Sequence, residues 1–400
     1  MTETISYIDN NPVLGVCYDW PKIIAAYKAL HCPDTVYSPC KTIREGTEAG
    51  CRWYVGMSKR ETGKTTNWLL IGLIMWWMYG TQIQYVRQDE DMIAPKNTKD
   101  MFNVILEHDY ISIITEGQYN TILYRSRRWY LAKREDGIIT AEASEHCCFM
   151  CDVVHYEDLK SGYNAPFGDL IIFDEFISTK YYPNEFVSLT QLISTIKRKR
   201  RSAIIVLLAN QIDVYSQYFN ELCIADDVQK MPAGSRAIIT TERGTKIYVE
   251  RIERTHKAKR QDEIDTTLYY GFANPKLASI TGDDWATANY QHIPDGEFDI
   301  LYPNLYISYS DKLVRLDMVK HSSLGVCMYV HWASRTYEDS IILSAAERTD
   351  VRFIYRTGRG ALDLLIRRMF AENRVYYATN DVGNFCESYF AYIKKMRAPV

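Results

Sequence analysis

One pentapeptide constrains this chain more than any other feature. Thr62-Gly63-Lys64-Thr65-Thr66 follows a run that reads as a strand, residues 51–55, and a loop, residues 56–63. It opens an apolar stretch that runs from Lys64 to Gly80. The first N–H groups of a helix lack intrahelical partners, so a glycine-ended loop at that point makes an anion cradle. Lys64 is placed to reach the β- and γ-phosphates of a nucleoside triphosphate, and the Thr65 hydroxyl to bind Mg²⁺. The helix that follows is apolar nearly all round, which predicts a buried helix. Its most apolar run, Trp68 to Tyr79, is about twelve residues, short of the roughly 20 needed to cross a bilayer.

The loop departs once from the spacing G-x-x-x-x-G-K-[ST]. Its first glycine would fall at position 58, which is Ser58, and the available glycine is Gly56. The loop is either serine-started or longer than usual. Its candidate nucleotide contacts are Ser58, Lys59, Arg60, Thr62, Gly63, Lys64, Thr65 and Thr66.

A second signal lies about 110 residues downstream. Leu170-Ile-Ile-Phe-Asp174-Glu175 is an apolar run ending in two acids, the pattern of a Walker B strand. Asp174 would hold Mg²⁺ and Glu175 would orient and polarise the attacking water. Ala203–Ala209 is a further apolar strand, and Asn210 after it reads either as a γ-phosphate sensor or as a turn residue. Gln82–Arg87 alternates as a strand, and Pro183 opens a helix to about Lys199. Apolar strands alternating with helices predict a mainly parallel α/β sheet, with ligands at the carboxyl ends of its strands. Residues 121–133 and 147–156 read as β-ribbon additions.

The run Lys197-Arg198-Lys199-Arg200-Arg201 ends the helix. Its cations suit the helix dipole, and they equally suit a basic rim with an arginine finger acting in trans. His146-Cys147-Cys148-Phe-Met-Cys151 has one C-x-x-C and no second pair at zinc spacing, so it reads as buried thiols. The ten cysteines are scattered over 400 residues and read as reduced thiols of a cytosol-like compartment. The start, Met1-Thr2-Glu3-Thr4, lacks the basic and apolar regions of a signal peptide.

A length of 400 residues suits two or three domains. The net charge of −3 excludes a chain that coats nucleic acid by bulk charge, but not a local basic patch. The expected division is an N-terminal extension (1–36, with a short helix from Lys22 to Leu30), a P-loop ATPase domain (37–245), a linker or bridging subdomain (246–290) and a C-terminal domain (291–400). The linker carries Arg251, Arg254, Lys257, Lys259 and Arg260. The last domain reads mainly as strands, including 298–301 and 305–309, with two closing helices, as an α+β or RNase H-like unit.

Taken together, the chain resembles the DNA-packaging ATPases of small tailed phages of the φ29 type. The matching residues are Tyr85-Val-Arg87, Ile172-Phe-Asp-Glu-Phe-Ile177, Tyr182-Pro-Asn-Glu185, Arg198, Leu208-Ala-Asn210 and Lys394-Lys395-Met396-Arg397. The resemblance covers about residues 37 to 400. It implies an ASCE P-loop NTPase domain followed by a vestigial RNase H-type nuclease domain. It also implies an ATP hydrolase with ATP and Mg²⁺ as cofactors. Arg198 would be the trans-acting finger, and Lys160 a second trans-acting cation. The implied partners are double-stranded viral DNA, the portal vertex of the procapsid and other copies of the chain in a homopentameric ring. A structural packaging RNA is left open. The implied location is the host cytoplasm, transiently on the procapsid, with no membrane partner.

A two-metal nuclease needs clustered acids on core strands. The expected first strand, Leu305–Tyr309, has none, and Asp311 reads as a turn residue, so cleavage is not expected. DNA contacts are expected to be phosphate-directed and salt-sensitive, from the 251–260 stretch and pore loops. The alternatives are a terminase with an active C-terminal nuclease and a nucleotide-dependent DNA-binding adaptor without turnover. Glu175 argues against the adaptor, which needs no water-orienting carboxylate.

Overall fold

The computed structural model describes residues 17–33, 36–58, 62–159, 168–177, 185–197, 203–210, 216–253, 290–309, 312–344, 353–355, 361–379 and positions 382, 383, 385, 386, 389 and 390. These fall into two compact units, one up to residue 253 and one from residue 290. Among the described residues no helix is long and apolar enough to cross a membrane.

The first unit is an α/β layer structure. Its helices begin with α1 (Trp20–Ala29), α2 (Cys40–Glu48) and α3 (Lys64–Tyr79). Four short helices follow, α4 (Glu90–Ile93), α5 (Pro95–Thr98), α6 (Asn103–Glu107) and α7 (Tyr110–Ile114). Then come α8 (Glu185–Lys197), α9 (Gln217–Glu221) and α10 (Ala225–Lys230). Its strands are β1 (Trp53–Met57), β2 (Ile83–Arg87), β3 (Thr121–Arg125), β4 (Arg128–Glu135), β5 (Ile138–Glu142), β6 (Cys148–Asp152), β7 (Leu170–Asp174), β8 (Ile204–Ala209), β9 (Arg236–Thr240) and β10 (Lys246–Arg251).

These strands form one sheet in the order β3-β4-β6-β2-β7-β8-β1-β10-β9, with β5 beside β4. From β6 to β10 every neighbouring pair is parallel. The antiparallel ribbons at the two ends are β3, β4 and β5 on one side and β9 on the other. β7 and β8 are buried along their whole length, as their unbroken apolar sequences require when both faces are covered. The extra strand β8 separates β1, which leads into Gly63 and α3, from β7, which ends in Asp174, the strand order expected of the ASCE arrangement.

α3 lies on this sheet with ten buried residues. It packs closely because Gly72 meets Ile83 and Leu170 of β2 and β7, where a Cβ would come within 2.5 Å of Ile83. α1 packs into the core of the first unit. Asp19 caps it by accepting from the Lys22 N–H at 3.0 Å, and Pro21 sits in its first turn. Its Ile23, Ile24 and Tyr27 enter the same core as α3. The Tyr27 hydroxyl donates to Asn67, and Asn67 Nδ2 donates to the Gly63 carbonyl at 2.7 Å. Beyond the expected boundary at residue 245, β10 belongs to the first sheet, paired with β1.

The second unit is a six-stranded sheet with helix α11 (Ala361–Ala371). Its strands are β11 (Phe298–Tyr309), β12 (Lys312–His321), β13 (Gly325–Trp332), β14 (Ile341–Ser344), β15 (Phe353–Tyr355) and β16 (Val375–Tyr377). The order is β15-β14-β11-β12-β13-β16. β11, β12 and β13 are antiparallel, and β14 and β15 continue in parallel from β11. This is the RNase H-like pattern: a three-strand meander extended on its first strand by two parallel strands. The two short strands expected at 298–301 and 305–309 are one long strand. Its register against β12 shifts on either side of Tyr302. A bulge there accommodates Pro303, which cannot donate to a ladder.

Candidate nucleotide site

The ends of four adjacent parallel strands, β2, β7, β8 and β1, carry the candidate site. Gly56 is not part of the loop. It lies within β1, opposite Leu208 and Glu250, and a Cβ there would press on Leu208 at 3.1 Å. With Gly56 inside β1, Ser58 is the residue at which a loop of ordinary spacing to Gly63 would begin. Ser58 is fully buried, its N–H donates to the Ala209 carbonyl at 3.1 Å, and its hydroxyl meets that of Thr62 at 2.8 Å.

Gly63 caps α3 at φ +76°, and a Cβ there would meet Val36 at 3.1 Å. Glycine is required by both conformation and space. Lys64 is 4% exposed. Burial pushes its amine down to about 8, opposed by the charges of Asp174 and Glu175. Its Nζ donates to Asn210 Oδ1 at 2.5 Å, and no carboxylate among the described residues forms an ion pair with it. A buried ammonium held by a neutral amide at a helix N-terminus suits an incoming phosphate.

Thr65 Oγ1 lies 3.1 Å from both carboxylate oxygens of Asp174. A hydroxyl and a carboxylate side by side are the hard oxygen ligands that Mg²⁺ takes together with water and phosphate. Thr66 stands in the first turn of α3, half-buried. Asp174 also accepts from the Tyr85 hydroxyl at 2.7 Å. Burial and then the Asp174 charge push that phenol well up, so it stays a donor. Glu175 follows at φ +55°, a left-handed turn that is costly for a non-glycine residue. Its Oε1 accepts from Asn210 Nδ2 at 2.9 Å and its Oε2 pairs with Arg87. Arg87 Nη1 reaches Asp174 at 3.5 Å. Burial alone would lower the guanidinium, but Tyr85, Asp174 and Glu175 more than offset it.

Sequence reasoning gave Tyr85 and Arg87 no role in the site. The signal was available: an arginine ending the second strand, once β2 is placed beside β7. Glu185 is buried and accepts from Gln88 at 2.8 Å and from the Tyr218 hydroxyl. Cys147, Cys148 and Cys151 are fully buried free thiols, pushed well up by burial. Arg251 ends β10 and donates to the Met231 carbonyl. Lys59, Arg60, Lys160, Arg198, Arg254, Lys257, Lys259 and Arg260 lie outside the described residues, as do Asp311 and residues 394–397.

Two solved structures resemble the whole chain. The Phi-28 gp11 DNA packaging motor is 18% identical with a TM-score of 0.53, over 92% of this chain and 100% of that one. The viral genome packaging motor assembly of bacteriophage Phi-29 is 17% identical with a TM-score of 0.54, over 91% and 100%. The chain has the fold of the φ29-type packaging motors. The N-terminal domain of the DNA packaging ATPase from bacteriophage phi29 also matches, at 20% identity and a TM-score of 0.42, over 55% of this chain and 97% of that one. Neither a protein-family profile nor a curated protein sequence matches the chain. The packaging-motor fold accounts for both units, and the candidate site lies in the first.

Proposed function

We propose that this chain is an ATP hydrolase that drives double-stranded viral DNA into a procapsid. One observation carries the reading. Asn210 joins Lys64 to Glu175 while Thr65 sits on Asp174, so phosphate, metal and water ligands converge on one sheet edge. Lys64, the Gly63 turn and the backbone from Ser58 to Thr66 would hold the triphosphate, with Lys59 and Arg60 beside it. Thr65 and Asp174 would hold Mg²⁺, which neutralises charge on the phosphates when bound. Glu175 would orient and polarise the attacking water, and Asn210 would sense the γ-phosphate. Catalysis is then positioning and charge stabilisation, as phosphoryl transfer requires.

Arg198, with Lys160, would complete the site of a neighbouring copy, in the homopentameric ring that the resemblance implies. Arg251, Arg254, Lys257, Lys259 and Arg260 would contact DNA phosphates. The portal vertex, the host cytoplasm as location and the place of a packaging RNA rest on the same resemblance. Asp317, the buried acid of β12, is held by Arg315 at 2.7 Å and by His331 at 2.9 Å.

The test is Mg²⁺-dependent ATP turnover of the purified chain, with and without duplex DNA and procapsids, beside Glu175→Gln. Turnover that DNA or procapsids stimulate, and that Glu175→Gln abolishes while still binding ATP, is expected. Equal ATP binding with no turnover in either protein under every condition would leave the adaptor in its place.

A further inference from the structure

At the opposite edge of the first sheet lies a cleft of about 560 Å³. It is formed where β1, β8 and β10 begin, so the whole length of β1, roughly 17 Å at 3.3 Å per residue, separates it from the glycine loop. Arg52 and Trp53 enter β1 here, Ala203 and Ile205 belong to the start of β8, and Lys246 opens β10. Ile193 and Lys197 of α8 close one side. Among the described residues, the lining holds three cations, Arg52, Lys197 and Lys246, and no acid.

Among the described residues, no carboxylate pairs with these cations. Lys246 donates to the Ala49 carbonyl at 2.9 Å, and neither Arg52 nor Lys197 forms an ion pair with a described residue. Among acids near in sequence, Glu45 is engaged by Tyr248 and Lys41, and Glu48 and Glu242 do not line the cleft. Three cations without a described carboxylate partner around one concavity raise the local concentration of anions.

The arrangement suits an extended anion better than a compact one. A single phosphate is held by convergent donors such as a backbone nest. Here the cations come from three separate elements, and Arg52 and Lys246 are exposed. Cations drawn from three elements along one cleft match the regular charge of a phosphodiester chain. We infer that this cleft is a second anion site of the first unit, taking the phosphodiester backbone of a nucleic acid through Arg52, Lys197 and Lys246.

Duplex DNA and RNA share that chemistry, so both are probes. Full-length protein is titrated with a labelled DNA duplex and with a labelled RNA hairpin by fluorescence anisotropy across a salt series. The double variant Arg52→Ala/Lys197→Ala leaves the basic run 198–201 intact. It is expected to unfold at the wild-type urea midpoint and to bind more weakly. Its slope of log K against log salt should be shallower by about 1.8 for duplex DNA, since each lost contact removes about 0.9. The charge-keeping pair Arg52→Lys/Lys197→Arg should restore the slope. Loss confined to one probe upholds the site and names its ligand as DNA or RNA. Should the double variant be destabilised, Arg52→Gln at its exposed position gives the same reading at half the size. An unchanged slope with both probes overturns the inference, because the backbone would then be held elsewhere.

Discussion

Arg87 shows what a single side chain does in this site. Two carboxylates stand at the end of β7, and Arg87 is the cation that lies against both. The two pairs differ in weight. Glu175 is 39% exposed, so its pairing contributes little in water, about 1 kcal/mol or less. Asp174 and Arg87 are 9% and 16% exposed, and removing one partner of a buried pair costs about 3 kcal/mol. Arg87→Ala should therefore lower nucleotide-free stability by about 3 kcal/mol, read as a drop in urea midpoint. Arg87→Lys should recover part of it, because one ammonium cannot span both acids. Equal midpoints for all three proteins would show that Arg87 does not neutralise Asp174.

His146 offers a second reading at the same scale. It is packed against Tyr130 and Phe149, Gln82 donates weakly to Nδ1, and its Nε2 is buried without a partner. Burial, and then Arg128, hold its pKa down to about 4 from 6.5. The unfolded chain then binds the proton first. Stability is complete above pH 6.5 and falls as pH drops from 6.5 towards 4, by up to about 3 kcal/mol. His146→Gln should flatten that stretch of a stability-versus-pH curve, and parallel curves for the two proteins would refute the assignment.

At the scale of elements, the contact between α3 and the sheet rests on Gly72. Alanine would favour the helix by about 1 kcal/mol. It would also place a methyl group 2.5 Å from Ile83 Cδ1 and Cγ1 and 3.1 Å from Leu170. Overpacking a full core costs about 1–3 kcal/mol, so the net should be destabilisation by about 1 kcal/mol. Combining Gly72→Ala with Ile83→Val should cost less than the sum of the separate changes, and strict additivity would sink the packing account. The same elements show what a sequence can tell. The strands Leu170–Asp174 and Ile204–Ala209 and the helix from Lys64 were legible because each is written in consecutive residues. The start of the loop was not, since Gly56 and Ser58 compete locally and only pairing with Leu208 and Glu250 puts Gly56 in β1. Arg87 was not, since a strand-ending arginine resembles a solvated end until sheet order sets β2 against β7. The place of α1 in the core was hidden for a similar reason: Tyr27 meets Asn67 only in three dimensions.

For the whole molecule, the proposed hydrolysis carries one further requirement. Lys64 would hold the triphosphate and Arg87 is taken up by Asp174 and Glu175, so the charge that builds on the transferred group calls for one more cation. A cation from a second copy would supply it, and Arg198 is the proposed one. The idea separates from a finger acting on its own subunit by complementation. A Glu175→Gln copy keeps its finger and loses its water-polarising carboxylate, while an Arg198→Ala copy does the reverse. Each alone should be nearly inactive. Mixed, a Glu175→Gln copy beside an Arg198→Ala copy lends its arginine to an intact neighbouring site. Turnover in the mixture should therefore exceed that of either parent and rise with protein concentration as the copies associate. A finger acting in cis predicts a mixture no better than the average of two inactive proteins at every ratio, because no subunit then holds both groups.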